Sequence, residues 1–549
     1  MRKPIWIILF ACISVMPAVA QKIDSATISN ALIIAGLNFT AAEKDSMADG
    51  LKDNLKTYEG LRKQPIPNDL AYPFGFQPAL GSGRTTGMQK ETTWRIPANT
   101  VMPANKEDLA FYSIPQLASL LRAKKISSVE LTRFFIGRLK KWGDTLQCVI
   151  TITEELAMKE AAAADEELKK GKWRGALHGI PYGLKDLFAV KGYKTTWGSV
   201  PYKDQVIEEN AFVYEQLRKA GAVLCAKLTL GELAYGDQWF GGKTKNPWNT
   251  TYGSSGSSAG SASATAAGLL PFAIGTETWG SIISPSHTCG VTGLRPTFGS
   301  VSRTGAMVLS WSLDKVGPIT RSAEDAAIVF YYIKGTDGKD PSATEHAFNF
   351  TAGRDIKKLR IAYAENYFKR LGSVSLQSKV LDQLRAMGAN IVAVDFPDST
   401  IYPYPIMDPI ISAESAAAFD ELTRSNMDDL IRRQDKNFWP NSFRVARLIP
   451  AVEYINANRH RSLLMQQMKK FMENYDVVIV PTYGGNQLAM TNLTGHPALC
   501  IPVGFLPNGT PASITFLGNL YDEASLLELA NAFQGATDHH RKHPEKFTH

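Results

Sequence analysis

The run from Gly253 to Ser263, G-S-S-G-S-S-A-G-S-A-S, constrains this chain more than any other stretch. Taken alone it has the composition of a flexible linker. Its flanks argue otherwise. It follows a well-punctuated turn, Asn246-Pro247-Trp248-Asn249, and runs into the small, apolar segment Ala264–Ile274. Linkers are bounded by solvent-loving sequence, whereas this one enters a stretch that should pack as a buried helix. Its glycines are therefore expected to permit close backbone approach. With 549 residues, 44% hydrophobic, the chain is long enough to bury a core.

Around that run, helical and strand patterns alternate from about Leu109 onward. Ser127-x-x-Glu130 has the form of a capping box opening a helix through Leu131, Phe134, Phe135 and Leu139. Thr153–Lys170 is rich in Ala, Glu and Lys and stops at Gly171. Phe212–Ala220 is expected to be a helix and Val223–Ala226 a strand. Strand Leu359–Ala364, a helix ending at Met387, and strands Ile391–Val394 and Val477–Val480 continue the pattern. This alternation predicts an α/β sandwich built on a mixed sheet.

The two ends differ from this body. Arg2 and Lys3, the apolar stretch Ile5–Val15 and Ala18-Val19-Ala20 have the layout of a secretory leader over residues 1–20. The apolar part falls short of the roughly 20 residues a membrane span needs. Leu9-Phe10-Ala11-Cys12 resembles a lipoprotein box, but Cys12 comes very early for one, so export without a lipid anchor is expected. Residues 21–64 have a helical period. From residue 65 to 103, Pro65, Pro67, Pro73, Pro78, Pro97 and Pro103 with Gly75, Gly81, Gly83 and Gly87 mark a connector. The expected organisation is a leader (1–20), a helical extension with its connector (21–105), a catalytic domain (106–537) and a solvated basic tail (538–549). The net charge of +8 is interspersed, so nucleic-acid binding is not expected, and no further stretch is apolar enough to span a membrane. Cys12, Cys148, Cys225, Cys289 and Cys500 show no C-x-x-C spacing, which suggests neither a zinc site nor a disulfide framework.

Three segments could carry chemistry. Gly256-Ser257-Ser258-Ala259-Gly260 matches the G-x-S-x-G elbow of hydrolases, with Ser258 as nucleophile. That elbow must follow a strand, which is not expected here, and nothing singles out His287, His346, His460 or His496 as its partner. Ser312-x-x-Lys315 is likewise an unaccompanied match. In Gly275–Ile282, a serine beside glycine in a polar turn can meet free backbone N–H groups, as an oxyanion site requires. Lys185 ends the compact, largely apolar run Leu177–Asp186; buried there, it would lose proton affinity and could act as a general base.

In this order the three segments resemble the amidase signature family of Ser–cis-Ser–Lys hydrolases. The resemblance runs through Gly179-Ile180-Pro181 to Lys185-Asp186, Ser255–Ser261, Gly275–Ile282, Cys289–Thr297, Val301-Ser302-Arg303, Ser312–Pro318, Asp476–Thr482 and Asp522-Glu523-Ala524, covering about residues 109–534. It implies an α/β/α sandwich with a large mixed sheet covered by helices. It also implies Ser281 as nucleophile, Ser257 as bridging serine in a cis peptide, Lys185 as base, and an oxyanion held by the N–H groups of Thr278, Trp279 and Gly280. No metal or cofactor is implied. Two positions depart from the family pattern: Trp279, where glycine is frequent, and Ile283, where arginine is common. Both are expected to alter the pocket without touching the triad.

The function expected is an exported amidase cleaving a small-molecule amide. The alternatives are the related amidotransferase subunit of aminoacyl-tRNA amidation, which the leader argues against, and a non-catalytic binding protein on the same fold. Phe419, Phe438 and Trp439 are expected to pack the core rather than line the pocket.

Overall fold

The computed structural model describes residues 23–64, 88–90, 92–371, 375–397 and 403–548. The leader, Cys12 and most of the Pro/Gly-rich connector lie outside the described residues.

The core element is a mixed sheet of eleven strands. In chain order they are β1 (Val149–Ile152), β2 (Pro181–Lys185), β3 (Val223–Leu228), β4 (Phe272–Glu277), β5 (Thr292–Arg295), β6 (Lys315–Thr320), β7 (Ile361–Ala364), β8 (Ile391–Val394), β9 (Val477–Pro481), β10 (Ala498–Phe505) and β11 (Pro511–Gly518). Across the sheet they run β1-β3-β2-β4-β6-β5-β10-β11-β9-β7-β8. β2 is parallel to both β3 and β4, and β7 is parallel to β8 and β9. The remaining pairings are antiparallel. The central strands β2, β3, β4 and β6 are buried along their whole length, as helices packed on both faces require. This is the α/β sandwich expected.

Local sequence explains most boundaries. The Ser127 hydroxyl accepts from Glu130 N, and the Glu130 carboxylate accepts from Ser127 N, closing the predicted capping box of helix Ser128–Leu146. The N-terminal extension forms helices Ser25–Ala35 and Ala41–Arg62. They gather Ile28, Leu32, Phe39 and Met47 around Val445, and Glu43 pairs with Arg444 at 2.7 Å.

Three expectations fail. The apolar segment Ala264–Ile274 is not one buried helix. The helix is Ala259–Ala266, starting inside the Gly/Ser run, and the rest becomes strand β4. Gly268, at φ +63°, ends the helix in a conformation that side chains disfavour. Pro271 follows, and Phe272-Ala273-Ile274 then complete a ladder between β2 and β6. The second failure is a missed strand: Asn249–Gly253 pairs with Lys245–Asn246 immediately before the Gly/Ser loop. The third is the tail, which docks rather than trailing into solvent. Phe547 is fully buried, its carbonyl accepts from Arg138 at 2.5 Å, and His543 stacks on Phe111 at 3.8 Å.

Phe419 and Phe438 are buried, and both Phe419 and Trp439 stack on Phe443, so this aromatic group packs the core as expected. Cys148, Cys225, Cys289 and Cys500 are buried free thiols. Among the described residues, no helix is long and apolar enough to cross a membrane.

Candidate active site

Three chain segments meet at the C-terminal end of β2. Lys185 is the last residue of that strand and has no solvent exposure. Its Nζ donates to Ser257 Oγ at 2.8 Å, Ser258 Oγ at 3.1 Å and Thr276 Oγ1 at 2.8 Å. Burial pulls its pKa from the ordinary lysine value down to about 7, against the longer-range attraction of Asp314 and Glu277. A primary amine with these neighbours is poised to exchange a proton with a hydroxyl near neutral pH.

Ser257 is buried, and the Gly256–Ser257 peptide bond is cis. Gly256 is required by packing: a Cβ there would lie 1.8 Å from the Gly236 carbonyl oxygen. Ser258, the elbow candidate, is excluded as an exposed nucleophile. A strand does precede it, contrary to expectation, but its hydroxyl is buried, donating to Thr276 O at 3.1 Å and accepting from Thr276 N and Lys185. It ties the Gly/Ser loop to β4. The Ser312 hydroxyl is likewise occupied, bonded to Glu414 and Arg461.

The third segment is the turn Thr278-Trp279-Gly280-Ser281-Ile282, between β4 and helix Ile283–Cys289. Ser258 N donates to Ser281 O at 3.1 Å, fastening the two loops together. Thr278 donates to Asp314 at 2.6 Å, and Asp314 in turn accepts from the Leu309 and Ser310 amides. Ser281 is 8% exposed.

Sequence reasoning missed what fixes this turn. Glu277, fully buried at the end of β4, accepts from Ile282 N at 2.9 Å and Ile283 N at 3.0 Å. Its other oxygen accepts from Arg295 at 2.8 Å and Asn492 at 2.9 Å. Burial alone would raise this carboxyl, but Arg295, Lys315 and the Ile283 amide hold it down at about 2. A permanently charged clamp thus grips the two amides that follow Ser281. Arg295 and Asn492 lie far from Glu277 in sequence, and no periodicity links them.

The two departures from the family pattern occupy different settings. Ile283 is buried in the hydrophobic cluster that also holds Leu313 and Ala362. Trp279 is 38% exposed and meets Tyr404 edge-on at 5.6 Å.

Comparison with known proteins places this arrangement. The chain matches the Amidase family over residues 130–489, about two thirds of its length. It belongs to the amidase family. It is 34% identical to a glutamyl-tRNA(Gln) amidotransferase subunit from Acinetobacter baumannii, over 79% of this chain and 98% of the relative. The corresponding protein from Coxiella burnetii is also 34% identical, over 79% and 99%. Among solved structures, the native peptide amidase from Stenotrophomonas maltophilia superposes with a TM-score of 0.70 at 28% identity, covering 78% of this chain and 98% of that one. A bacterial aryl acylamidase of the amidase signature family shares the fold, with a TM-score of 0.68 at 22% identity, covering 78% and 96%.

Proposed function

We propose that this protein is an exported amidase that hydrolyses a carboxamide or amide C–N bond through a serine acyl-enzyme. Ser281 attacks the carbonyl carbon. Its proton passes to Ser257, whose own proton passes to neutral Lys185. The N–H groups of Thr278, Trp279 and Gly280 hold the oxyanion, and the relay then returns a proton to the departing nitrogen. Water, deprotonated by the same relay, releases the acid and restores Ser281. The observation that carries this reading is the Lys185 amine, 2.8 Å from Ser257 Oγ and held near pKa 7 by burial.

Labelling tests it. A serine-reactive fluorophosphonate should add one group at Ser281, read by mass spectrometry, and Ser281→Ala should abolish both label and hydrolysis. Folded protein that takes no label there would overturn the assignment.

A second reading is favoured by one observation: the glutamyl-tRNA(Gln) amidotransferase proteins match over nearly their whole length at 34% identity. Against it stands the leader-like sequence at residues 1–20. Fractionation separates the two. Mature protein lacking residues 1–20 outside the cytoplasm supports export, and uncut protein retained in the cytosol supports the amidotransferase reading.

A further inference from the structure

Helix Tyr404–Ala418 is tied to the catalytic loops at two points. Near its start, Tyr404 meets Trp279 of the oxyanion turn at 5.6 Å. Farther along, buried Glu414 accepts from Ser310 Oγ at 2.5 Å, Ser312 N at 3.0 Å and Ser312 Oγ at 2.7 Å. Those serines flank Trp311 in the loop leading to Asp314, whose carboxylate holds Thr278. Asp408 lies between the two anchors, one turn beyond Tyr404 and on the same face, since residues four apart on a helix are neighbours.

Three aromatic residues lie along these anchors and reach solvent: Trp279, Trp311 (48% exposed) and Tyr404 (40% exposed). The Asp408 side chain is itself solvent-exposed. The protein around it raises its carboxyl to about 6. Among the described residues, no lysine, arginine or histidine lies within ion-pair distance of this carboxylate. The basic groups at Trp311 and Ser312 are engaged elsewhere: Arg303 pairs with Asp340 at 2.8 Å and donates to Trp311 O, and Arg461 bonds Ser312 and Leu493.

An unpaired carboxylate beside exposed aromatic rings is complementary to an ammonium or guanidinium group, which gains both an ion pair and ring contacts. We propose that Asp408, with Trp279 and Tyr404, forms a specificity subsite for a cationic group on the amide substrate. This rests on the amidase reading and names the substrate class that such an enzyme selects.

The test uses Nα-acetyl-lysinamide, its uncharged analogue Nα-acetyl-norleucinamide, and the anionic Nα-acetyl-glutamic acid α-amide. The purified protein should favour the lysine over the norleucine compound by about tenfold in kcat/KM, equivalent to about 1.4 kcal/mol. Asp408→Asn should bring that ratio close to one, and Asp408→Lys should invert the order toward the anionic amide. An unaltered lysine-to-norleucine ratio in both variants, or no cation preference in the parent, would overturn the subsite. Calorimetric binding of the same three amides to Ser281→Ala and to Ser281→Ala/Asp408→Asn tests it without turnover. If binding shows the preference while Ser281 takes no label and nothing is hydrolysed, the catalytic reading fails and the subsite stands.

Discussion

Two lysines lie side by side in the sheet, equally inaccessible to solvent, with opposite surroundings. Lys185 ends β2, and Lys227 sits opposite Leu184 on neighbouring β3. Lys227 Nζ lies 2.7 Å from the equally buried carboxylate of Asp186 and donates to Lys194 O at 3.0 Å. Lys185 has three hydroxyls within 3.1 Å and no ion pair. Burial lowers the proton affinity of both, and at Lys227 the adjacent Asp186 offsets part of that loss. The difference is one of chemistry at equal burial. A carboxylate partner favours the charged form of a buried lysine and makes it a structural tie. A ring of hydroxyls leaves it free to be neutral, and able to accept a proton.

The largest effect should come from removing the hydroxyl-ringed lysine. Lys185→Ala should lower kcat/KM by about three orders of magnitude, the middle of the range for losing a general base. Circular dichroism and a cooperative melt should show the fold retained. Next, Thr276→Asp would give Lys185 the kind of partner Lys227 has. The parent should lose activity as pH falls through about 7, because protonated Lys185 cannot accept a proton, and level off above it. In the variant that ascending limb should move up by at least about one pH unit, costing at least about fivefold at pH 7, as an opposite charge within 4–6 Å implies. The smallest effect on turnover should come from Lys227→Met. It leaves Asp186 buried and unpaired, so denaturant unfolding should show a loss of about 3–5 kcal/mol. Adding Asp186→Asn should recover part of that, while kcat per folded molecule stays within about threefold of the parent. A large, unrecovered loss of kcat in Lys227→Met would erase the distinction between the two lysines.

The sequence carried the α/β alternation because each element states its own period and stop, as at Ser127, Gly171 and Gly221. The segments holding Lys185, Ser257 and Ser281 stand out by composition, but within them only the family resemblance singled out Ser257 over Ser258; the structure brings Lys185 within 2.8 Å of Ser257. The sequence misled where one run served two elements: Ala264–Ile274 is small and apolar with no charged break, and its division falls at Gly268, at φ +63°. The Glu277 clamp was illegible for another reason. Its partners Arg295 and Asn492 arrive from β5 and from helix Gln487–Thr494, and such a convergence leaves no local pattern. The docked tail escaped similarly, since a lone Phe547 among charged residues does not announce the socket it fills.

The division at Gly268 also governs which changes of length this chain can accept. Between Ser257 and Ser281 the backbone runs out along helix Ala259–Ala266 and back along β4. One residue inserted in the helix would turn everything beyond it by about 100° relative to its start. One inserted in β4 would exchange its two faces and slide its register against β6. Insertions and deletions should therefore be excluded from this interval while substitutions are not. Homologues and designed variants should vary in length in surface loops, and hold the count between these two serines constant.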